Sequence, residues 1–139
     1  EWDMHLDISD VEPYVIEMIK VAMEIRSEKN ESQSGTVLKR AIEYIEKNYT
    51  NEALSLNKVA EEVNVSANYL SSVFSQSMQK TFIEYVTTKR MEKAKKLLKS
   101  TDAPTSEISQ TVGYKDAHYF SFVFKKTVGM SPREYRASK

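Results

Sequence analysis

Apolar residues recur along the chain at three- and four-residue intervals, and no segment sustains the strict alternation of a half-buried strand. The pattern predicts an all-α protein. Val11, Val15, Met18, Ala22 and Ile25 follow 4-3-4-3 spacing, the seam of a coiled coil. Met4 and Ile8 continue it backwards, but Pro13 is best tolerated in a first turn, so the predicted helix runs from about Asp10 to Lys29. Tyr14, Ile16, Ile19 and Met23 widen the stripe, which leaves packing against the rest of the chain as an alternative to a coiled coil. The polar run Asn30-Glu31-Ser32-Gln33-Ser34-Gly35 then predicts a linker.

Beyond the linker, Val37, Ala41, Tyr44, Ile45 and Tyr49 predict a helix over about 37–49, and Leu56, Val59, Ala60 and Val63 a short one. Ser66 is placed to cap a helix carrying Leu70, Val73 and Phe74. A long helix follows from Thr81 to Ser100, with Phe82, Tyr85, Val86, Met91, Ala94, Leu97 and Leu98 inward, and Thr101-Asp102-Ala103-Pro104 interrupts it. Ile108 and Val112 mark a short helix that Gly113 ends. Asp116 caps one with Phe120, Val123 and Phe124 that Gly129 ends, and Ser131-Pro132 opens a last short one.

Composition narrows the chemistry. The 139 residues include no Cys, two His and three Gly. The absence of Cys removes disulfides, thiolate metal sites and a thiol nucleophile. His5 and His118 are far apart in sequence, and three glycines cannot write a phosphate-binding loop. No catalytic constellation, metal site or cofactor site is apparent, so an enzyme is disfavoured. No apolar run exceeds five residues, so nothing predicts a membrane span or a signal peptide. The first residue is Glu rather than Met, which suggests a piece of a longer protein.

Twenty basic residues balance twenty acidic ones, and a net charge of zero argues at first against a nucleic-acid partner. The zero is a cancellation. Residues 1–33 carry nine acids and three bases, whereas 34–139 carry 17 bases and 11 acids. Such asymmetry between segments suggests nucleic-acid binding by the basic one, with a solvated helical surface as the alternative.

An internal repeat decides how the basic segment is organised. Residues 66–86 and 116–136 are identical at seven of 21 positions at an offset of 50: Ala67/Ala117, Tyr69/Tyr119, Ser71/Ser121, Val73/Val123, Phe74/Phe124, Glu84/Glu134 and Tyr85/Tyr135. Each copy ends in the spacing of a capping box, Thr81-x-x-Glu84 and Ser131-x-x-Glu134. At an offset of 49, Val59/Ile108 and Val63/Val112 align the short helices that precede them. Each copy is thus short helix, tight turn, second helix: a helix-turn-helix, whose second helix can enter a DNA major groove. The long helix between the copies, at about 19 residues, spans roughly 28 Å, close to the roughly 34 Å advance of one duplex turn.

The basic segment resembles the DNA-binding domain of the AraC/XylS family of bacterial transcription regulators. The resemblance rests on Leu56, Val59-Ala60, Val63, Ser66, Tyr69-Leu70-Ser71 and Phe74, then on Arg90-Met91, Ala94 and Leu97-Leu98. Its most specific stretch is Gly113-Tyr114, Asp116, Tyr119-Phe120-Ser121, Val123-Phe124-Lys125-Lys126, Gly129-Met130-Ser131-Pro132 and Glu134-Tyr135-Arg136. The version at the C-terminus of YesN-type two-component response regulators is the most similar. The resemblance implies two domains, a helical linker over 1–35 and a tandem helix-turn-helix domain over 36–139.

By position in that resemblance, Asn68, Ser71, Ser72, Ala117, His118, Ser121 and Phe122 point at base edges. Asn68 suits bidentate pairing with adenine, and a Phe ring can meet a thymine methyl. The alternatives are a solvent-exposed His118 and a Phe122 that packs on Tyr119 or forms a protein interface. Ser66, Lys125 and Lys126 are the phosphate candidates. Arg90 fits a structural ion pair better, with an acid such as Glu62. Family members usually carry Arg or Lys where Ser72 and Phe122 stand, and Gly where Gln79 stands. These departures bear on target sequence and affinity rather than fold.

The resemblance further implies double-stranded promoter DNA and RNA polymerase as partners and a cytoplasmic location. It also implies an upstream receiver or sensor domain, and a homodimer through 10–29 remains open. The rival class is a helical protein-interaction module without specific DNA binding, supported by the sparse basic content of the recognition helices.

Overall fold

The structure, a computed structural model, describes residues 8–139, with side chains described for 17–19, 21–22 and 33–139. Seven helices and no strand occur among the described residues: α1 (Ile8–Asn48), α2 (Leu56–Glu62), α3 (Ala67–Met78), α4 (Phe82–Ser100), α5 (Thr105–Val112), α6 (Ala117–Val128) and α7 (Pro132–Ala137). Among these residues no helix is long and apolar enough to cross a membrane.

The helix breaks where expected in every case but one. α1 continues through Asn30–Gly35, where the polar run predicts a linker, and at its other end it is already helical at Ile8, the first described residue. Polar residues and a single Gly are weak helix formers rather than absolute breakers. Met18, Ile19, Val21 and Ala22 are exposed. Met4 and the side chains of Val11, Val15 and Ile25, which complete the expected seam, lie outside the described residues.

Two compact units divide at Thr36/Val37. The second, Val37–Lys139, holds two hydrophobic cores, one per sequence repeat. The first core gathers Val37, Ala41 and Ile45 of α1, Val59, Ala60 and Val63 around α2, Leu70 and Phe74 of α3, and Phe82 and Val86 of α4. The second gathers Met91, Ala94 and Leu98 of α4 with Ile108, Val112, Tyr114, Phe120 and Phe124.

α4 therefore serves both cores, and its sequence explains how. At about 100° per residue, its second apolar set lies roughly 130° around the helix axis from Phe82 and Val86. The two helix-turn-helix units accordingly dock on different sides of one spacer helix. α4 starts from a complete capping box: Thr81 Oγ1 accepts from Glu84 N at 3.1 Å, and Thr81 N donates to Glu84 Oε2 at 3.0 Å. At its other end Arg136 donates to the carbonyls of Leu98, Thr101 and Ala103 at 3.1, 3.2 and 2.6 Å. These carbonyls face no further helical turn, so the guanidinium supplies donors that the backbone lacks.

Candidate DNA interface

The repeat is reproduced bond for bond in the turns. Asn64 and Gly113 hold corresponding left-handed positions, at φ 57° and 109°. Val65 N donates to Ala60 O at 3.0 Å, and Tyr114 N to Ser109 O at 2.9 Å, closing the same six-residue ring after each short helix. The second turn has one more residue, Lys115, before its cap. Ser109 occupies the place of Ala60, and its buried hydroxyl donates to Tyr114 O at 3.1 Å.

The helices that follow begin alike. Ser66 Oγ accepts from Tyr69 N at 3.1 Å, and Asp116 Oδ1 accepts from His118 N at 2.8 Å and Tyr119 N at 3.3 Å. Both helices pack by the same residues. Phe74 meets Tyr85 edge-on at 5.3 Å, and Phe124 meets Tyr135 edge-on at 5.7 Å. Phe82 and Pro132, which correspond at the offset of 50, are both buried. At Ser131 the hydroxyl half of the box is made, to Glu134 N at 3.1 Å, with Pro132 at the first helical position.

With the core faces fixed, the remaining faces of α3 and α6 carry the residues expected to read DNA. Asn68, Ser72, His118 and Phe122 are exposed, whereas Ser71, Ala117 and Ser121 are half-buried. Phe122 is 64% exposed, so it does not pack into the core, and Tyr119 beside it is 57% exposed. Lys125 and Lys126 are exposed in the last turn of α6, where cations also meet the negative end of the helix dipole. The two recognition helices differ in charge: α3 carries no ionisable side chain but Tyr69, and α6 carries two lysines and His118. Their N-termini differ as well. The neutral Ser66 leaves the positive end of α3 open to an anion, whereas the Asp116 carboxylate already occupies that of α6.

Arg90 corrects an expectation. Its partners are not acidic. Nε donates to Tyr49 O at 2.6 Å and Nη2 to Asn51 O at 3.0 Å, and the guanidinium lies over the Tyr114 ring, 5.1 Å from its centroid. Helix-end carbonyls carry no formal charge, so a search of the sequence for acids passes over them. Glu62 instead contributes its carbonyl, to Arg40 at 3.4 Å. Arg90 borders a cleft of about 500 Å³ between the two units, lined also by Leu54, Ile83, Gly113, Lys115 and Tyr119. Sequence reasoning missed this junction; the signal available was Gly113 at the turn, four residues before the second recognition helix begins.

Nearby on α4, Lys89 Nζ and the Tyr85 hydroxyl meet the same oxygen of Glu46, at 2.7 and 2.8 Å. The hydrogen bond from Lys89, then that from Tyr85, holds the Glu46 carboxyl below the usual carboxylate range. The same bond raises Lys89, and burial foremost raises Tyr85.

Two helix-turn-helix units, each with an exposed second helix and mounted on one spacer, define a tandem helix-turn-helix DNA-binding domain. A family model described as a helix-turn-helix domain matches residues 59–138. The melibiose operon regulatory protein of Escherichia coli K12 is 40% identical over 93 residues, which are 67% of this chain and 30% of that protein. The C-terminal domain of AraT, a response regulator from Geobacillus stearothermophilus, is 46% identical and superposes with a TM-score of 0.73, covering 74% of this chain and 85% of that one. The C-terminal domain of the response regulator yesN from Fusobacterium nucleatum is 38% identical, with a TM-score of 0.68 over 69% and 93% of the two chains. The chain belongs to the AraC family of transcription regulators and carries that family's DNA-binding domain. It spans about a third of the length of the curated relatives it matches.

Proposed function

We propose that residues 36–139 bind promoter DNA sequence-specifically, with α3 and α6 in successive major grooves on one face of the duplex. The observation that carries this reading is the duplicated geometry. Two exposed helices, capped at the same position and packed by the same residues, flank a spacer of 19 residues. Asn68, Ser71, Ser72, Ala117, His118, Ser121 and Phe122 face the bases. Lys125, Lys126 and the α3 N-terminus at Ser66 hold phosphates. A single chain then supplies what an isolated helix-turn-helix obtains by dimerising.

The likeness to the C-terminal domains of two response regulators supports placing this domain at the output end of such a protein. A receiver domain would precede it, its signal would arrive through the acidic helical segment of residues 1–35, and RNA polymerase would be the partner at the promoter. That action belongs in the cytoplasm. The exposed apolar side chains of Met18, Ile19 and Val21 support pairing of two copies through 10–29.

Selection of random duplexes on the purified fragment tests the reading. The expected result is an enriched motif of two half-sites about one helical turn apart, bound with an affinity that falls steeply with salt. If no motif emerges and binding ignores salt, the exposed Phe122 and Tyr119 belong to a protein-interaction module instead.

A further inference from the structure

We propose that Arg90 is a positioning residue that sets the phase between the two recognition helices, and through it the half-site spacing the protein accepts. This rests on the two-groove reading above. The two cores are separate, and α4 packs against both. One helix with a core on each side leaves the second unit free to rock about the spacer unless something else ties the units together. Arg90, at the middle of α4, makes that tie. Its two hydrogen bonds end on Tyr49 and Asn51, in the segment that joins α1 to α2 in the first unit, and its guanidinium lies over Tyr114, in the turn of the second.

The fit against Gly113 is tight. A Cβ placed on Gly113 would stand 2.9 Å from Arg90 Nε and 3.1 Å from the Thr50 carbonyl. The second unit's turn thus lies directly against the first unit's loop, with the guanidinium between them. Gly113 is needed there twice, for its left-handed backbone and for this approach. The planar fork is also specific: a Lys can reach one carbonyl, but it cannot hold two and stack on a ring at once. α6 begins four residues beyond Gly113, so the angle of the turn against Arg90 is passed directly to the recognition helix.

DNA supplies a sensitive readout of that angle. Adding one base pair between half-sites moves the second by about 3.4 Å and turns it by about 35°. A clasped pair of helices meets only one of these arrangements well, and an unclasped pair meets several with similar, weaker affinity. A variant that merely loses stability or a phosphate contact weakens all spacings by the same factor and leaves their ratios unchanged.

The test uses the selected two-half-site duplex and versions with one base pair added or removed. Binding is measured with the full chain and with Arg90→Lys and Tyr114→Leu, each first checked by circular dichroism and thermal melting. The wild type is expected to prefer the matched spacing by about tenfold or more, and both variants to narrow that preference to about threefold. Folded variants that keep the wild-type ratio overturn the proposal. So does a wild type that needs both half-sites yet tolerates the added base pair, which leaves two-groove binding intact. A wild type that selects a single half-site, or none, overturns the two-groove reading instead.

Discussion

Gln79 and Gly129 occupy the same place in the two repeats and share a left-handed backbone, at φ 54° and 94°. Each ends a recognition helix, and its N–H closes the last turn onto Ser75 O or Lys125 O. A Cβ in that conformation costs roughly 1–2 kcal/mol, which Gly avoids, though Gly also gains entropy in the unfolded chain. Gln79→Gly should therefore stabilise the protein by about 0.5–1 kcal/mol, raising the melting temperature by roughly 2–4 °C. Unchanged or lower melting would show that the Gln79 side chain makes a compensating contact.

Gly113 and Gly129 should respond differently to the same substitution. Around Gly129 an added Cβ meets nothing within 4 Å, so Gly129→Ala costs only the backbone strain, about 1 kcal/mol. At Gly113 the same methyl also displaces Arg90 and presses on the Thr50 carbonyl. Gly113→Ala should cost roughly 2–4 kcal/mol in denaturant unfolding, the range for overpacking added to strain. Equal costs at the two sites would mean that the junction yields without resistance.

Helix positions, caps and core faces were legible because each has a local signature. Thr81 with Glu84, Asp116 before an apolar stripe, and Phe74 echoed at Phe124 all declare themselves within a few residues. α1 was not legible through Asn30–Gly35, since propensity there is weak in both directions and the hydrogen-bond ladder decides. The candidate DNA face could be anticipated, because the repeat pairs each recognition helix with its core side and leaves the other side by subtraction. The junction could not. Arg90 reaches back 41 residues to Tyr49 O and lies over Tyr114 from the opposite unit, and neither contact leaves a trace in local spacing.

Glu46 gives the fold a modest dependence on pH. Its folded pKa lies below the unfolded value because Lys89 and Tyr85 donate to it. That stability is present above the ordinary carboxylate range and is lost as pH falls through the lowered folded value. Lys89 and Tyr85 are raised, so their share is present at neutral pH and disappears as pH climbs through their raised values. The Lys89–Glu46 pair is about 40% exposed on both sides, and solvent screens it, so Glu46→Gln should cost no more than about 0.2–1 kcal/mol at neutral pH. Thermal melts should converge with the wild type in acid, where Glu46 is itself neutral, and a gap that persists there contradicts this account.

Residues 1–33 carry a net charge of −6 and residues 34–139 one of +6. Charge of that size lowers the potential that draws a polyanion in, and salt screens the effect beyond a Debye length of about 10 Å at 0.1 M. Deleting 1–33 should tighten DNA binding at low salt and make little difference near 0.15 M. Equal affinity of both forms in dilute buffer refutes it.

Grip and reading should separate by mutation. Lys125 is exposed in the last turn of α6 and faces phosphate in the proposed complex, so its loss removes charge but no sequence information. Lys125→Ala should weaken binding to every duplex by a similar factor and flatten the slope of log affinity against log salt by about one unit. Asn68 is exposed in the first turn of α3 and uncharged, so Asn68→Ala should leave that slope unchanged. It should instead relax preference at one base pair, by about 1–3 kcal/mol where the pair is adenine-containing. Phe122→Ala should do the same at a thymine in the other half-site, since a ring 64% exposed costs the fold little to lose. Salt titrations on single-base duplex variants distinguish these outcomes. If Asn68→Ala moved the salt slope and Lys125→Ala shifted base preference, the assignment of the two residues would be reversed.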